Sequence, residues 1–477
     1  MKKTMCLLIV LSLIFSCINV SIFAEKPNYS IGELHQILLD YSKNISPMKN
    51  NEPASFAISS DETEPSLNWI DFAEEPPNFI DCDDDSMSEL VHVIYTAEHL
   101  AWVAEQVNNG NTFSGEEIRL KDNIDLGGRE WTPIGLPYKN MLDYDASFVA
   151  FKGIFNGNGY KIYNLTIKNP TVYESEYEGD GSASYASLFF AVENATVANV
   201  AIVNCKLSNK YAIATPLTLL ATNSLIYNCY TSGTIESERI SAGLVALSQD
   251  NIVANCYSIV DFYDDAFVAG LVHLTSKTTV TRCYWSGIAE NSNKYDDYDD
   301  DDDLITVRPP RIPLINISDG FLYPIENDIY YMLLSYLYWD VDNVPLYEGY
   351  DTKKPDKYTI PLTTEQFKTQ LPPGFDDEYW GIIPGLTYPY LKVFGEPEFE
   401  LSVEQATVNS VKVKVGDYAF GCKLFAALYS PDGVLLETKI VPAASGTINF
   451  SQPIADNKYK IFLWSDTDKI IPAAIAE

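Results

Sequence analysis

Four stretches of the chain fall on one template, and no other feature limits the possible fold as strongly. They are Leu188…Val197-Ala198-Asn199-Val200, Leu217…Ile226-Tyr227-Asn228-Cys229, Leu244…Val253-Ala254-Asn255-Cys256 and Leu271…Val280-Thr281-Arg282-Cys283. In each, the leading Leu lies 11 residues before the Asn or Arg, and the units start 29, 27 and 27 residues apart. A period of this length means one supersecondary unit stacked on its neighbours.

The columns of the template set a physical problem. Ile162-Tyr163-Asn164-Leu165 reads as a further copy of the strand that ends each repeat. With it, one column holds Asn164, Asn199, Asn228, Asn255 and Arg282, and the next holds Leu165, Val200, Cys229, Cys256 and Cys283. The column two residues before the Asn is Ile162, Val197, Ile226, Val253 and Val280. These two apolar columns lie three residues apart, so in a flat strand they would point to opposite faces. A bend at the Asn lets both face inward, and Asn tolerates the left-handed backbone such a bend needs. With a strand near the leading Leu and a shorter third one (Thr234-Ile235, Ile259-Val260), the pattern predicts three short strands per coil. The expected fold is all-β: a right-handed parallel β-helix with an N-terminal capping helix, then a small C-terminal β-sandwich.

Around this core the chain reads in pieces. Lys2 and Lys3, the apolar run Met5 to Phe15, a second apolar patch and Ala24 are expected to form a signal peptide over 1–24. Lipidation at Cys17 is the alternative, although Phe15 suits that signal poorly. Residues 25–92 read as a short helix, with Ile31, Leu34, Ile37, Leu38 and Tyr41, followed by a Pro-, Ser- and acid-rich linker. Thr96 is the expected N-cap of a helix presenting Leu100, Val103, Ala104 and Val107 on one face, ended by Asn108-Asn109-Gly110. Short strands are expected over 118–120, 124–126 and 131–134, and a turn over Phe155–Tyr160. Residues 288–350 interrupt the repeat with the acidic run 296–303 and an aromatic run, Tyr330 to Trp339. From 399 to 477 the alternation of Val411–Val415, Leu424–Tyr429, Val434–Val441 and Tyr459–Trp464, with a Pro431-Asp432-Gly433 turn, predicts the sandwich.

The stretches Ala242-Gly243-Leu244-Val245…Asn255-Cys256-Tyr257-Ser258 and Ala269-Gly270-Leu271-Val272…Arg282-Cys283-Tyr284-Trp285-Ser286 resemble degenerate GLUG repeats. Leu217 departs from that pattern, since Pro216 precedes it. The segment Glu98 to Asn108 with Asp125-Leu126-Gly127-Gly128-Arg129-Glu130-Trp131-Thr132-Pro133-Ile134-Gly135 is similar to the N-terminal cap of such repeats. Phe375-Asp376…Trp380-Gly381-Ile382…Tyr388-Pro389-Tyr390-Leu391 is similar to the motif that closes them. The resemblance spans 93–395. It implies a bacterial surface protein, adhesin-like, or akin to the non-catalytic N-terminal regions of some IgA-cleaving metalloproteases. Residues 399–477 look like a terminal module of clostridia-like surface proteins, a likeness of fold alone.

The net charge is −34, and loss of Lys2 and Lys3 would make it −36. Such a surface repels nucleic acid, anionic lipid and polyanionic glycans. Beyond the leader the cysteines are Cys82, Cys205, Cys229, Cys256, Cys283 and Cys422, with no C-x-x-C pair; three share a repeat position and read as packed side chains rather than zinc ligands. The histidines are His35, His92, His99 and His273, and they form no H-E-x-x-H. Asp261, Asp264, Asp265 and Arg282 could furnish an outer-face carbohydrate site, against the reading of a solvated acidic turn. The Asp run lacks the turn glycine and fixed oxygens of a Ca²⁺ site, leaving weak Ca²⁺ condensation at most. Tyr330, Tyr331, Tyr336, Tyr338 and Trp339 read either as a sugar-binding platform or as packing against the helix. No catalytic, cofactor-binding or metal-ligating residue is assigned. The expected protein is monomeric, extracellular or surface-bound, without a transmembrane span or nucleic-acid partner. It binds glycans or proteins on host, dietary or neighbouring-cell surfaces; a carbohydrate-active enzyme and a structural spacer are the alternatives.

Overall fold

The computed structural model describes residues 68–476 except 82–88, 128, 139–146, 175–182, 210–211, 238–239, 264–266, 290–314, 318–332, 344–358, 398, 400, 417–422, 443–445, 452, 454–457 and 465–471. The expected leader, Cys17, the helix at 31–41, His35, Cys82, the acidic run 296–303, Tyr330, Tyr331 and Cys422 lie outside the described residues. The chain divides into two compact units, Met1–Pro361 and Leu362–Glu477. Among the described residues no helix is long and apolar enough to cross a membrane.

The protein is all-β, and its first unit is built from parallel sheets. Each full coil contributes four strand segments, one more than expected. The first set, Ala183–Ala186, Ala212–Ala214, Ile240–Ala242 and Phe267–Ala269, pairs in parallel and in register. The second, Phe189–Glu193, Thr218–Thr222, Val245–Gln249 and Val272–Ser276, does the same. The third and fourth lie on either side of the Asn column, in one large sheet.

The bend at that column is present. Asn199, Asn228, Asn255 and Arg282 have φ of 54°, 52°, 51° and 53°. As a result Val197, Ile226, Val253 and Val280 are buried, and so are Val200, Cys229, Cys256 and Cys283. The amides form a ladder: Asn255 Nδ2 donates to Asn228 Oδ1 at 3.2 Å, and Asn228 Nδ2 to Asn199 Oδ1 at 3.0 Å. Each repeat cysteine donates its thiol to the carbonyl two residues back, Tyr227, Ala254 or Thr281, at 3.2 Å. Thus the cysteines fill the core and also partner carbonyls beside the bend.

A second bend, not anticipated, lies five residues earlier in each unit, at Asn194, Asn223, Asp250 and Lys277 (φ 51°, 48°, 55° and 48°). Behind it runs a buried polar column. Asn251 donates to Ala221 O and Ser248 Oγ at 2.8 Å each and accepts from Ser224 N at 2.7 Å. Ser248 and Thr278 share a hydrogen bond of 3.0 Å. Satisfied in this way, buried hydroxyls and amides do not incur the desolvation penalty of orphaned polar groups.

Two register expectations are corrected. Asn164 does not continue the column of Asn199. Ile162 pairs with Ile202, and Asn204 Nδ2 donates to Asn164 Oδ1 at 2.6 Å. The position beside Val197 is taken by Phe155, and Asn199 reaches Asn156 Oδ1 at 3.4 Å. The cause is Gly157, which takes the place of the bend residue in that coil. A Cβ there would collide with Asn199 O and Val200 Cα, so the coil turns instead at Asn158 (φ 53°) and Gly159 (φ 82°). The Asn-Gly turn therefore absorbs the extra residues, and the look-alike Ile-Tyr-Asn-Leu falls one strand later.

The segment 288–350 is also not a simple interruption. Leu333–Asp340 pairs in parallel with Thr279–Trp285, opposing Val280 with Leu334, Cys283 with Leu337 and Trp285 with Trp339. Tyr336 takes the bend at φ 55°, 54 residues after Arg282, twice the usual period. Ile315–Ile317 likewise extends the second set of strands. Arg282 is therefore not the last rung.

At the N-terminal side, α1 (Ala97–Asn108) is capped as expected, Thr96 Oγ1 accepting from His99 N at 3.3 Å. Leu100, Val103, Ala104 and Val107 are buried against Ile94, Ile118 and Leu120. The described part of the expected linker is ordered into this sheet, because Asn78–Asp81 pairs antiparallel with Glu89–Ile94.

In the second unit, α2 (Thr364–Thr369) opens on a capping box from Thr363 and Gln366. The expected closing motif forms a short hairpin, Trp380-Gly381 against Tyr390-Leu391, and falls in this unit rather than with the coils. Beyond it a three-stranded and a four-stranded antiparallel sheet enclose one core, including Val411, Val413, Leu424, Leu428, Ile448 and Ile461. Leu401–Ala406, Gly446–Asn449 and Pro472–Ala476 are strands that the alternation did not reveal.

The left-handed rung generates a graded prediction. In Asn228→Gly only the side-chain bonds are lost, at about 1 kcal/mol. In Asn228→Ala a left-handed penalty of about 1 kcal/mol is added, and in Asn228→Val it is larger still. Denaturant unfolding followed by the repeat-unit tryptophans reads the series. Equal stability of the Gly and Val variants would show that the bend is not the constraint.

Candidate functional site

The residues singled out from the sequence do not converge. His92 Nε2 meets Glu116 Oε2 at 2.7 Å and packs against Trp102 and Phe113 with ring centroids 5.4 and 5.3 Å away. His99 Nδ1 accepts from Tyr95 N, closing the first turn of α1. His273 lies on Val272–Ser276 with 4% exposure. Asp261 uses Oδ1 to accept from Ile288 N at 2.8 Å; Asp264 and Asp265 lie outside the described residues. Arg282 is buried at its bend. Among the described residues no three His, Cys, Asp or Glu side chains are grouped as a metal ion would require.

The described end of the aromatic run is packed into the coils. Tyr338 and Trp339 are buried as the rung beyond Tyr284 and Trp285. Tyr230, Tyr257 and Tyr284 stack in parallel, with centroids 4.7 and 4.9 Å apart. These rings stack at the spacing of neighbouring strands.

A different place has the makings of a site. A cavity of about 60 Å³ opens beside Trp131, where the coils are least regular. Asn68 forms one rim. It bridges to Glu130, and its Oδ1 accepts from Ile70 N and Thr132 Oγ1, both at 3.1 Å. Trp131 is buried, and its Nε1 donates to Leu188 O at 3.2 Å, so the indole is locked against the next coil. The loop beneath is tied down by the last residue of α1: Asn108 Nδ2 donates to Pro133 O at 3.1 Å, and Asn108 Oδ1 accepts from Gly135 N at 2.8 Å. Tyr173, Tyr185 and Phe190 form the aromatic wall, with centroids 5.6 and 5.2 Å apart in sequence. Burial pushes the Tyr173 phenol up to about 12, so it stays protonated and able to donate.

The polar groups here are incompletely used. Glu130 Oε2 accepts from Lys168 N at 2.8 Å, while Oε1 has no partner among the described residues. The neighbouring cation does not neutralise it. Arg129 stacks over Phe72 and Trp69, its guanidinium carbon 3.6 and 4.5 Å from the ring centroids. Asn169 and Thr171 line the mouth, exposed and without side-chain hydrogen bonds among the described residues. Sequence reasoning placed Glu130 and Trp131 in a cap motif but found no site. Asn68 sat in a presumed linker, and nothing in the sequence brings it 62 residues along the chain to Glu130.

No family model and no curated protein matches the chain.

Two predictions follow from the buried groups. Burial lowers His273 from 6.5 to about 4. The unfolded chain therefore binds the extra proton first, and stability falls as pH drops from 6.5 toward 4, by about 3 kcal/mol in all. His273→Gln removes that component, visible as a flatter stability–pH profile over this window. Burial also raises the thiols, Cys205 to about 12 and Cys256 well above its ordinary value. Iodoacetamide at pH 8 is expected to leave Cys205, Cys229, Cys256 and Cys283 unmodified in the native protein and to label them after unfolding, read by peptide mass spectrometry.

Proposed function

We propose that this is a secreted or cell-surface binding protein without catalytic activity, engaging glycans or proteins on host, dietary or neighbouring-cell surfaces. In this reading the stacked coils are a right-handed parallel β-helix of the GLUG kind, and 399–477 is a β-sandwich module carried on the same chain. The observation that carries it is the Trp131 cavity. Aromatic walls, an amide, a hydroxyl and an uncommitted carboxylate surround it, and side-chain bonds to Pro133 O and Leu188 O fix the Trp131 loop. Aromatic faces with a few placed hydrogen-bonding groups suit recognition of sugars and of polar protein surfaces. The strongly negative chain directs that recognition toward neutral partners.

An array of neutral and charged glycans and of extracellular-matrix proteins, probed with the chain from residue 25 onward with and without Ca²⁺, tests the reading. Retention on neutral glycans or proteins, insensitive to Ca²⁺, is expected. Release of shortened products from a pectin, alginate or host-glycan panel would replace it with an enzymatic one.

A further inference from the structure

The free groups around the Trp131 cavity are complementary to one kind of ligand. The uncommitted oxygen of Glu130 is a strong acceptor for hydroxyl protons. Asn169 offers both a carbonyl and an amide, Thr171 a hydroxyl, and none of these is engaged among the described residues. Asn68 has its Oδ1 saturated by two donors, which turns its remaining capacity to donation from Nδ2. Donors and acceptors are therefore both offered beside an aromatic wall. A hydroxyl group both donates and accepts, and a pyranose couples such hydroxyls to an apolar C–H face.

Size narrows the choice. At about 10–15 Å³ per water by this measure, a 60 Å³ cavity holds a handful of hydroxyl-sized groups. That is one edge of a single sugar ring, not an internal stretch of polysaccharide and not a folded loop. Charge narrows it further. Arg129 is stacked on Phe72 and Trp69, and Lys168 meets Glu130 through its backbone N–H. A uronic or sialic acid carboxylate brought to this rim would face the like charge of Glu130.

We propose that this cavity is a subsite for the terminal unit of a neutral glycan, with Glu130 and Asn169 hydrogen-bonding adjacent ring hydroxyls and Tyr173 and Tyr185 walling its C–H face. The assignment rests on the binding function proposed above and specifies its ligand class. One ring in one subsite gives an affinity on the order of 1 mM.

Saturation-transfer NMR on the chain from residue 25 onward tests it. The probes are methyl glucoside, galactoside and mannoside, glucuronic acid and a lysine tripeptide. At least one neutral pyranoside is expected to bind near that affinity, with glucuronic acid and the peptide inert. Glu130→Gln preserves the bond to Lys168 N and removes the charge; it is expected to weaken the sugar by about tenfold. Asn169→Ala, at an exposed position, should weaken it severalfold. Unfolding curves of both variants matching the parent exclude a folding effect. Unchanged affinity in both variants, equal binding of glucuronic acid, or binding of the lysine peptide in place of sugar overturns the assignment. If array binding persists in the parent and in both variants, only the subsite is wrong. If the parent binds neither glycans nor proteins, the proposed function falls with it.

Discussion

The first unit depends on one backbone conformation repeated at one place in successive coils from Asn199 onward. With Asn199, Asn228, Asn255, Arg282 and Tyr336 in the left-handed region, side chains three residues apart both reach the interior. Without it, either the Val column or the Cys column would face water, and the stack would lose one of its two buried rows at about 1.5–3 kcal/mol per large side chain. Asn is the preferred occupant because it enters this region at small cost and carries an amide that reaches the next rung. The 3.0–3.2 Å spacing of the Asn199–Asn228–Asn255 ladder shows that amides satisfy one another at the strand repeat. The cysteines after Asn228, Asn255 and Arg282 fit the same logic. Each sulfur fills the core and its proton goes to the carbonyl two residues back.

The second bend carries a different solution to the same turn. Its residues, Asn194, Asn223, Asp250 and Lys277, are less uniform, and the polar work passes to the following column of Ser224, Asn251 and Thr278. A coil with two such corners needs four strand segments. Glycine enters where consecutive coils approach closely: a Cβ on Gly243 would collide with Gly270 O, one repeat further on. Trp285 donates from Nε1 to Val260 O at 3.2 Å, linking consecutive coils through a buried indole.

Much of this was legible in the residues, and the failures have physical causes. The bend was deducible because two apolar columns at an odd spacing cannot both be buried in a flat strand. The cap helix was deducible from Thr96, the 3.6-residue apolar face and Asn109-Gly110. The register of 154–165 was not, because Ile162-Asn164-Leu165 copies the template while the true rung, Phe155-Asn156-Gly157, replaces the bend residue with Gly. The rung at 333–339 was concealed by Tyr336, a residue that seldom takes positive φ. Its signal was nevertheless present in the repeated Tyr-Trp of 284–285 and 338–339 and in the doubled period. The cavity was least legible. It is made by Asn68, the 130–137 loop, 169–173 and the strands carrying Tyr185 and Phe190, four separated segments, and no local pattern encodes such a meeting.

That origin bears on where recognition can arise in a stacked protein. Within the regular coils many polar side chains have an equivalent in the next coil, so Asn228 pairs with Asn199 and Ser248 with Thr278. A surface whose hydrogen-bonding capacity is consumed by its own repetition offers little to a ligand. At the surface, capacity is released where the translation fails and a group lacks its counterpart in the next coil. Glu130 is such a group: one oxygen is held by Lys168 N, the other has no partner among the described residues, and the adjacent Arg129 is engaged by aromatic rings. The same departure from periodicity that hides the cavity from sequence patterns is what leaves its donors and acceptors unspent. In this architecture, irregularity is where uncommitted donors and acceptors collect, while the ladder supplies the rigidity that holds them in place.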